Sequence, residues 1–102
     1  MATRNLSEPL GEAVPSAARM RFGIVVAEWN GEVTSALLKG AVDTLTGAGA
    51  TEEDVEVVHV PGSFELPGAG QWLAKTGRFD AVILLGCVIQ GETRHFDFIC
   101  QG

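Results

Sequence analysis

Three short stretches of the chain gather most of the side chains that do chemistry. They are Glu28-Trp29-Asn30-Gly31, Pro61-Gly62-Ser63-Phe64-Glu65-Leu66-Pro67 and Gly86-Cys87-Val88-Ile89-Gln90-Gly91-Glu92-Thr93-Arg94-His95-Phe96-Asp97. In the last, Gly91 permits a tight turn, Thr93 offers a hydroxyl at an N-cap, and the free N–H groups of a following helix would point into the loop. That combination suits a single phosphate. A dinucleotide is disfavoured, because neither GxGxxG nor GxxxxGK[ST] occurs. Glu92 opposes an anion unless its carboxylate faces away, and the plain alternative is an ordinary capped helix start. His95 falls in the first turn of that helix, where the positive end of the dipole disfavours imidazolium and keeps the ring free to take a proton. Its alternative is a surface histidine paired with Asp97 or Glu92.

The other two loops suit an organic ligand. Trp29 presents a ring that can stack on a flat heterocycle, and Asn30 can both donate and accept hydrogen bonds. Trp29 reads as well as a lid over a sheet end. Ser63, Phe64 and Glu65 place a hydroxyl, a ring and a carboxylate in succession between two prolines, a rigid presentation for a polyol. The rival reading is that Ser63 or Glu65 caps the next helix. A serine hydrolase is disfavoured because Gly62-Ser63 lacks the flanking pattern of a nucleophile elbow. Cys87 near His95 suggests a thiol nucleophile, but at the end of an apolar run it packs better as a small hydrophobe. Zinc held by Cys87, His95 and Cys100 would have no recognised spacing, and a phosphoacceptor site would need clustered aspartates where Glu28 stands alone. No metal, redox group or other cofactor is implied.

Parallel strands and crossover helices would bring these loops together. Phe22 to Ala27 is apolar without alternation, as in a strand buried on both faces, and Val55 to Val60 is a second strand ended by Pro61-Gly62. Ala81 to Leu85 is a solid apolar block bounded by Gly86, and it reads as the central strand. Between them, Val33, Leu37, Leu38, Ala41, Val42 and Leu45 recur at helical spacing, with Gly47 to Gly49 as the stop. A second helix is expected from about Phe64 or Pro67 to Lys75, ended by Gly77, and a third from Thr93 or Arg94. This alternation predicts an α/β domain with a parallel sheet, whose ligands gather beyond the carboxyl ends of the strands.

The whole chain has 102 residues, enough for one domain, and 46% hydrophobic residues with 20% charged exclude a wholly disordered protein. Seven basic residues against 13 acidic ones give a net charge of −6 and no basic patch, which argues against nucleic acid as partner. Two cysteines outside any CxxC pair fit a reducing cytoplasm. The longest apolar runs fall far short of the roughly 20 residues that cross a bilayer. Residues 1–20, punctuated by Pro9, Gly11 and Pro15, read as a flexible arm before a domain over 21–102. The third helix would have about two turns before Gly102, so the chain reads as the front part of a longer protein, with the outer edge beside the third strand left bare.

From Arg21 to Gly102 the chain closely resembles the lumazine synthase family, on Trp29-Asn30, on Val60 to Pro67 and on Leu85 to Cys100, in that order. The resemblance implies a flavodoxin-like three-layer α/β/α sandwich, with the last strand and helices absent from this chain. It implies condensation of 5-amino-6-(D-ribitylamino)uracil with 3,4-dihydroxy-2-butanone 4-phosphate to 6,7-dimethyl-8-ribityllumazine in riboflavin biosynthesis. Trp29 takes the place of the aromatic stacked on the pyrimidine. Ser63, Phe64 and Glu65 match the segment holding that substrate. Cys87, Val88 and Ile89 match the strand end that meets the pyrimidine edge through main chain. Glu92 and Thr93 match the phosphate-binding dipeptide, and His95 the proton-transfer residue.

The family chain continues to a further aromatic, given to a neighbouring subunit's site, and to a phosphate arginine; neither position exists here, and Arg94 is not that arginine. Homopentamers are implied, sometimes assembled into decamers or icosahedral shells of sixty. The alternatives are a related riboflavin synthase, which would need no phosphate site, and a shell-forming or flavin-binding homologue without turnover. Because no metal is expected, EDTA should leave the activity intact; a loss of turnover restored by added zinc would overturn that expectation.

Overall fold

The computed structural model describes residues 14–90 and 95–101. Its strands are β1 (Phe22–Ala27), β2 (Val55–Val60) and β3 (Ala81–Leu85), and its helices α1 (Gly31–Gly47), α2 (Leu66–Lys75) and α3 (His95–Gln101). All pairing among the described strands is parallel, in the order β2-β1-β3. That is the opening of the flavodoxin-like order, in which the chain steps to one side of the first strand and then crosses to the other. Right-handed crossovers in opposite directions put their helices on opposite faces of the sheet.

Side-chain packing shows the two faces directly. Val25 and Ala27 of β1 pack with Val60 and with Leu66 and Leu73 of α2, whereas Phe22, on the alternate face, packs with Ala50 and Ala17 beside Leu45 and Ala48 at the end of α1. Every residue of β1 is buried, as its unbroken apolar run predicts for a strand covered on both sides. Gly23 fits this crowding: a Cβ there would come within 3.2 Å of Leu73 Cδ1.

The expectation that Ala81 to Leu85 is central needs correction. β1 occupies the centre, and among the described residues β3 pairs with β1 alone. Its apolar block reports cover on its faces, not pairing on both edges, and hydrophobicity cannot tell these apart. Even that cover is partial, since Leu84 remains 43% exposed.

Local signals set the element ends. Gly49, at φ +112°, turns the chain after α1 so that the Ala50 N–H donates to the Leu45 carbonyl (3.0 Å). Pro67 lies in the first turn of α2, where its missing N–H costs nothing. Residues 14–20 lie against the α1–β2 connection: Ala17 is buried and its N–H donates to the Ala48 carbonyl (2.8 Å). At the opposite end of the sheet from the candidate loops, the Asp80 carboxylate accepts the Arg21 N–H (2.7 Å), while the Asp80 N–H donates to the Arg21 carbonyl (2.8 Å). This reciprocal pair starts β1 and β3 in step. Among the described residues, no helix is long and apolar enough to cross a membrane.

Ile24, with no exposed surface, should be the most sensitive kind of position in this sheet. Ile24→Ala is expected to cost about 2–5 kcal/mol in urea unfolding. In the dissociated single chain, Trp72→Ala, at a residue 75% exposed, should stay within about 0.5 kcal/mol.

Candidate active site

Because the strands run in parallel and in register, with Ala27 opposite Val60 and Val26 opposite Leu85, the loops that follow them emerge side by side. The first is stitched to the second by a continuation of the ladder. The Glu28 N–H donates to the Val60 carbonyl (2.8 Å) and the Trp29 N–H to the Pro61 carbonyl (3.0 Å). Trp29 is thereby held beside the start of the second loop.

Asn30 connects the first loop to the third. It adopts the left-handed conformation (φ 61°, ψ 49°), which asparagine tolerates better than most residues. Its carbonyl accepts the N–H groups of Val33 (3.0 Å) and Thr34 (3.1 Å), which starts α1. Its side chain makes no capping bond. Capping side chains are typically worth about 0.5–2 kcal/mol. Here the amide instead reaches across the sheet end, where Nδ2 donates to the Cys87 carbonyl at 2.9 Å.

The second loop is braced from within. One Glu65 carboxylate oxygen, Oε2, accepts the Gly62 N–H (3.1 Å), closing the short 3₁₀ turn Ser63–Glu65 that leads into α2. Glu65 thus caps the 3₁₀ turn and not α2 itself, which has no side-chain cap, and the carboxylate retains acceptor capacity for a ligand. The Ser63 Oγ is shielded and finds no hydrogen-bond partner among the described residues. It packs on Gly86, at the end of β3, where a Cβ would stand only 2.6 Å from both Ser63 Oγ and Leu66 Cδ1. Glycine is required there by the close approach of the second and third loops.

These contacts enclose a cavity of 260 Å³, near the lower end of the roughly 300–1,000 Å³ usual for small-ligand sites. Trp29, Ser63, Phe64, Glu65, Cys87, Val88 and Ile89, read from the sequence as one ligand's surroundings, all line it. The lining is mostly apolar and its rim is open: Trp29, Phe64 and Ile89 are each more than 60% exposed. Large rings and aliphatic groups facing water around a concave site suit a flat ligand better than a polar metabolite alone.

Sequence reasoning missed Ile99 as a lining residue and did not anticipate the Asn30 tether. The available signals were Ile99's place one turn after His95 on the third helix and an asparagine directly after a strand. Gly91, Glu92, Thr93 and Arg94 lie outside the described residues, as does the His95 side chain; the His95 backbone opens α3. Cys87 is half-buried and Cys100 exposed, both unpaired. Among the described residues, no group of three or more His, Cys, Asp or Glu is arranged to hold a metal ion.

Residues 19–102 match the family model described as 6,7-dimethyl-8-ribityllumazine synthase. The chain belongs to that family. Curated relatives agree. A 6,7-dimethyl-8-ribityllumazine synthase of Porphyromonas gingivalis is 50% identical over 101 residues, covering 99% of this chain and 63% of the relative. One of Cytophaga hutchinsonii is 54% identical over 100 residues, 98% of this chain and 62% of the relative. One of Salinibacter ruber is 56% identical over 82 residues, 80% of this chain and 53% of the relative. The chain thus spans about three fifths or less of the length of these relatives.

The Gly86 contact can be tested by adding one methyl group. Gly86→Ala should force apart Ser63 and Leu66 and destabilise the fold by about 1–3 kcal/mol, the usual range for overpacking. Thermal unfolding lowered by several degrees would agree; an unchanged midpoint would show that the second loop yields freely.

Proposed function

We propose that the protein works as a lumazine synthase, joining 5-amino-6-(D-ribitylamino)uracil to 3,4-dihydroxy-2-butanone 4-phosphate. The observation that carries this is the single cavity lined by Trp29, the Ser63–Glu65 segment and the Cys87–Ile89 segment. Family membership supplies the reaction class, and the cavity supplies a physical reason why these residues suit it.

In this reading the pyrimidine stacks on the Trp29 indole, with main chain of Cys87 to Ile89 along its edge. The ribityl hydroxyls lie along the Ser63–Glu65 segment, where the Glu65 carboxylate accepts hydrogen bonds and the Ser63 Oγ, shielded against Gly86, takes no part. Glu92 and Thr93 hold the phosphate of the second substrate. The 5-amino group attacks the ketone, an imine forms, phosphate leaves, and the ribitylamino nitrogen closes the ring with loss of water. His95 moves protons in these steps. Its backbone position, one turn before the cavity-lining Ile99, supports that assignment.

Joining two small molecules depends mainly on orientation, for which well-aligned intramolecular reactions gain about 7–11 kcal/mol. The braced loops supply it: Trp29 is held by a ladder bond, Glu65 by Gly62 and the Cys87 carbonyl by Asn30. The proposal includes assembly into pentamers, with decamers or shells of sixty as further states. Apolar side chains open to solvent in the single chain, such as Trp72, Val33 and Leu37, support burial between copies. It also includes a cytoplasmic setting, supported by the unpaired cysteines.

Mixing both substrates with the full-length protein should generate the lumazine chromophore together with inorganic phosphate. Neither signal appearing would end the proposal. Phosphate-independent conversion of two lumazines would favour a riboflavin synthase instead. His95→Ala should lower kcat by about 100- to 10,000-fold, and unchanged turnover would remove His95 from proton transfer.

A further inference from the structure

We propose that Asn30 is a positioning residue, whose carboxamide fixes the Cys87–Ile89 main chain at the correct distance from Trp29 for a flat ring to fit between them. The inference rests on the lumazine synthase reading for the identity of that ring.

Asn30 occupies the start of a helix, where the side chain of an asparagine ordinarily bonds back to the next N–H groups. It forgoes that bond. Its Nδ2 donates instead to the Cys87 carbonyl at 2.9 Å, across 57 residues of sequence. Both partners line the cavity, and Trp29 is the residue immediately before Asn30. The contact therefore joins the first and third loops within the cavity lining. On one side of it the Trp29 N–H is locked to the Pro61 carbonyl. On the other, the segment after Leu85 has left the ladder that held β3 to β1. Past that point no strand pairing among the described residues holds Cys87, and the Asn30 amide takes over.

The backbone reinforces the assignment. At φ 61° a β-branched or bulky residue is strained, so Asn30 combines a tolerated left-handed conformation with a donor of the right reach. With the Cys87 carbonyl anchored, the main chain from Cys87 to Ile89 is held in place along a pyrimidine edge.

Two substitutions separate the amide from the backbone. Asn30→Gly keeps the left-handed conformation and removes the donor. Asn30→Asp keeps the shape but replaces the N–H with an acceptor facing the carbonyl. In the full-length protein, each should raise KM for 5-amino-6-(D-ribitylamino)uracil by about 10-fold or more, leaving KM for the butanone phosphate within about 2-fold. Without substrate, amide hydrogen exchange over Gly86 to Gln90 should accelerate by about 10-fold, while β1 keeps wild-type protection. If Asn30→Gly fails to fold, Asn30→Asp carries both readings.

Wild-type exchange in this segment would overturn the proposal, as would faster exchange with an unchanged pyrimidine KM or an equal rise in both KM values. If the unsubstituted protein uses neither substrate, the functional reading fails separately. The exchange measurement then still decides whether Asn30 holds the segment: acceleration supports the tether, and no change overturns it.

Discussion

Parallel pairing of β1 with a strand on each side is the constraint on which the rest of the structure depends. It makes all three described strands finish at one end of the sheet, so residues as distant in sequence as Trp29, Ser63 and Cys87 meet around one cavity. The complete burial of β1 makes this arrangement hard to alter. A shift of one residue would turn its two apolar faces against the wrong helices and break both ladders together.

On this frame the loops are held by successive, different means. Main-chain bonds carry the β1–β2 ladder past the strand ends, Glu65 closes its own turn, and an amide side chain links the first loop to the third. Each bond alone is modest, because exposed hydrogen bonds exchange for water at little net gain. Their combined effect is geometric. They fix the relative placement of an aromatic face, a carboxylate and a main-chain edge before any ligand arrives, which lowers the ordering cost of binding. A condensation between two small molecules gains most from that form of preorganisation.

Much of this was legible in the sequence, for identifiable reasons. The spans Phe22 to Ala27, Val55 to Val60 and Ala81 to Leu85 appear in the structure with the same bounds, because each is a β-branched or apolar run stopped by a turn. The start of α2 was less clear, since Ser63 to Glu65 form a 3₁₀ turn that continues into the helix. Strand order was not readable from hydrophobicity: Ala81 to Leu85 looks more buried than it is, because apolar faces do not report which edges are paired. Position after strands pointed to Trp29, Ser63, Phe64 and Glu65, whereas Cys87, Val88 and Ile89 were assigned to the ligand only through the family resemblance. The Asn30–Cys87 bond was not legible, because nothing local marks a partner 57 residues away. The same holds for Ser63, whose hydroxyl faces the crowded Gly86 contact instead of open space.

Among the described residues one side of β3 is unpaired, and that side has a chemical character of its own. Ala81-Val82-Ile83-Leu84-Leu85 contains no charge, no proline and no bulge, which are the usual devices that discourage unwanted strand addition. Its row of main-chain donors and acceptors is therefore indiscriminate, ready to zip to extended apolar polypeptide of similar length from any source. While that border is open, solubility depends on which extended segment reaches it first.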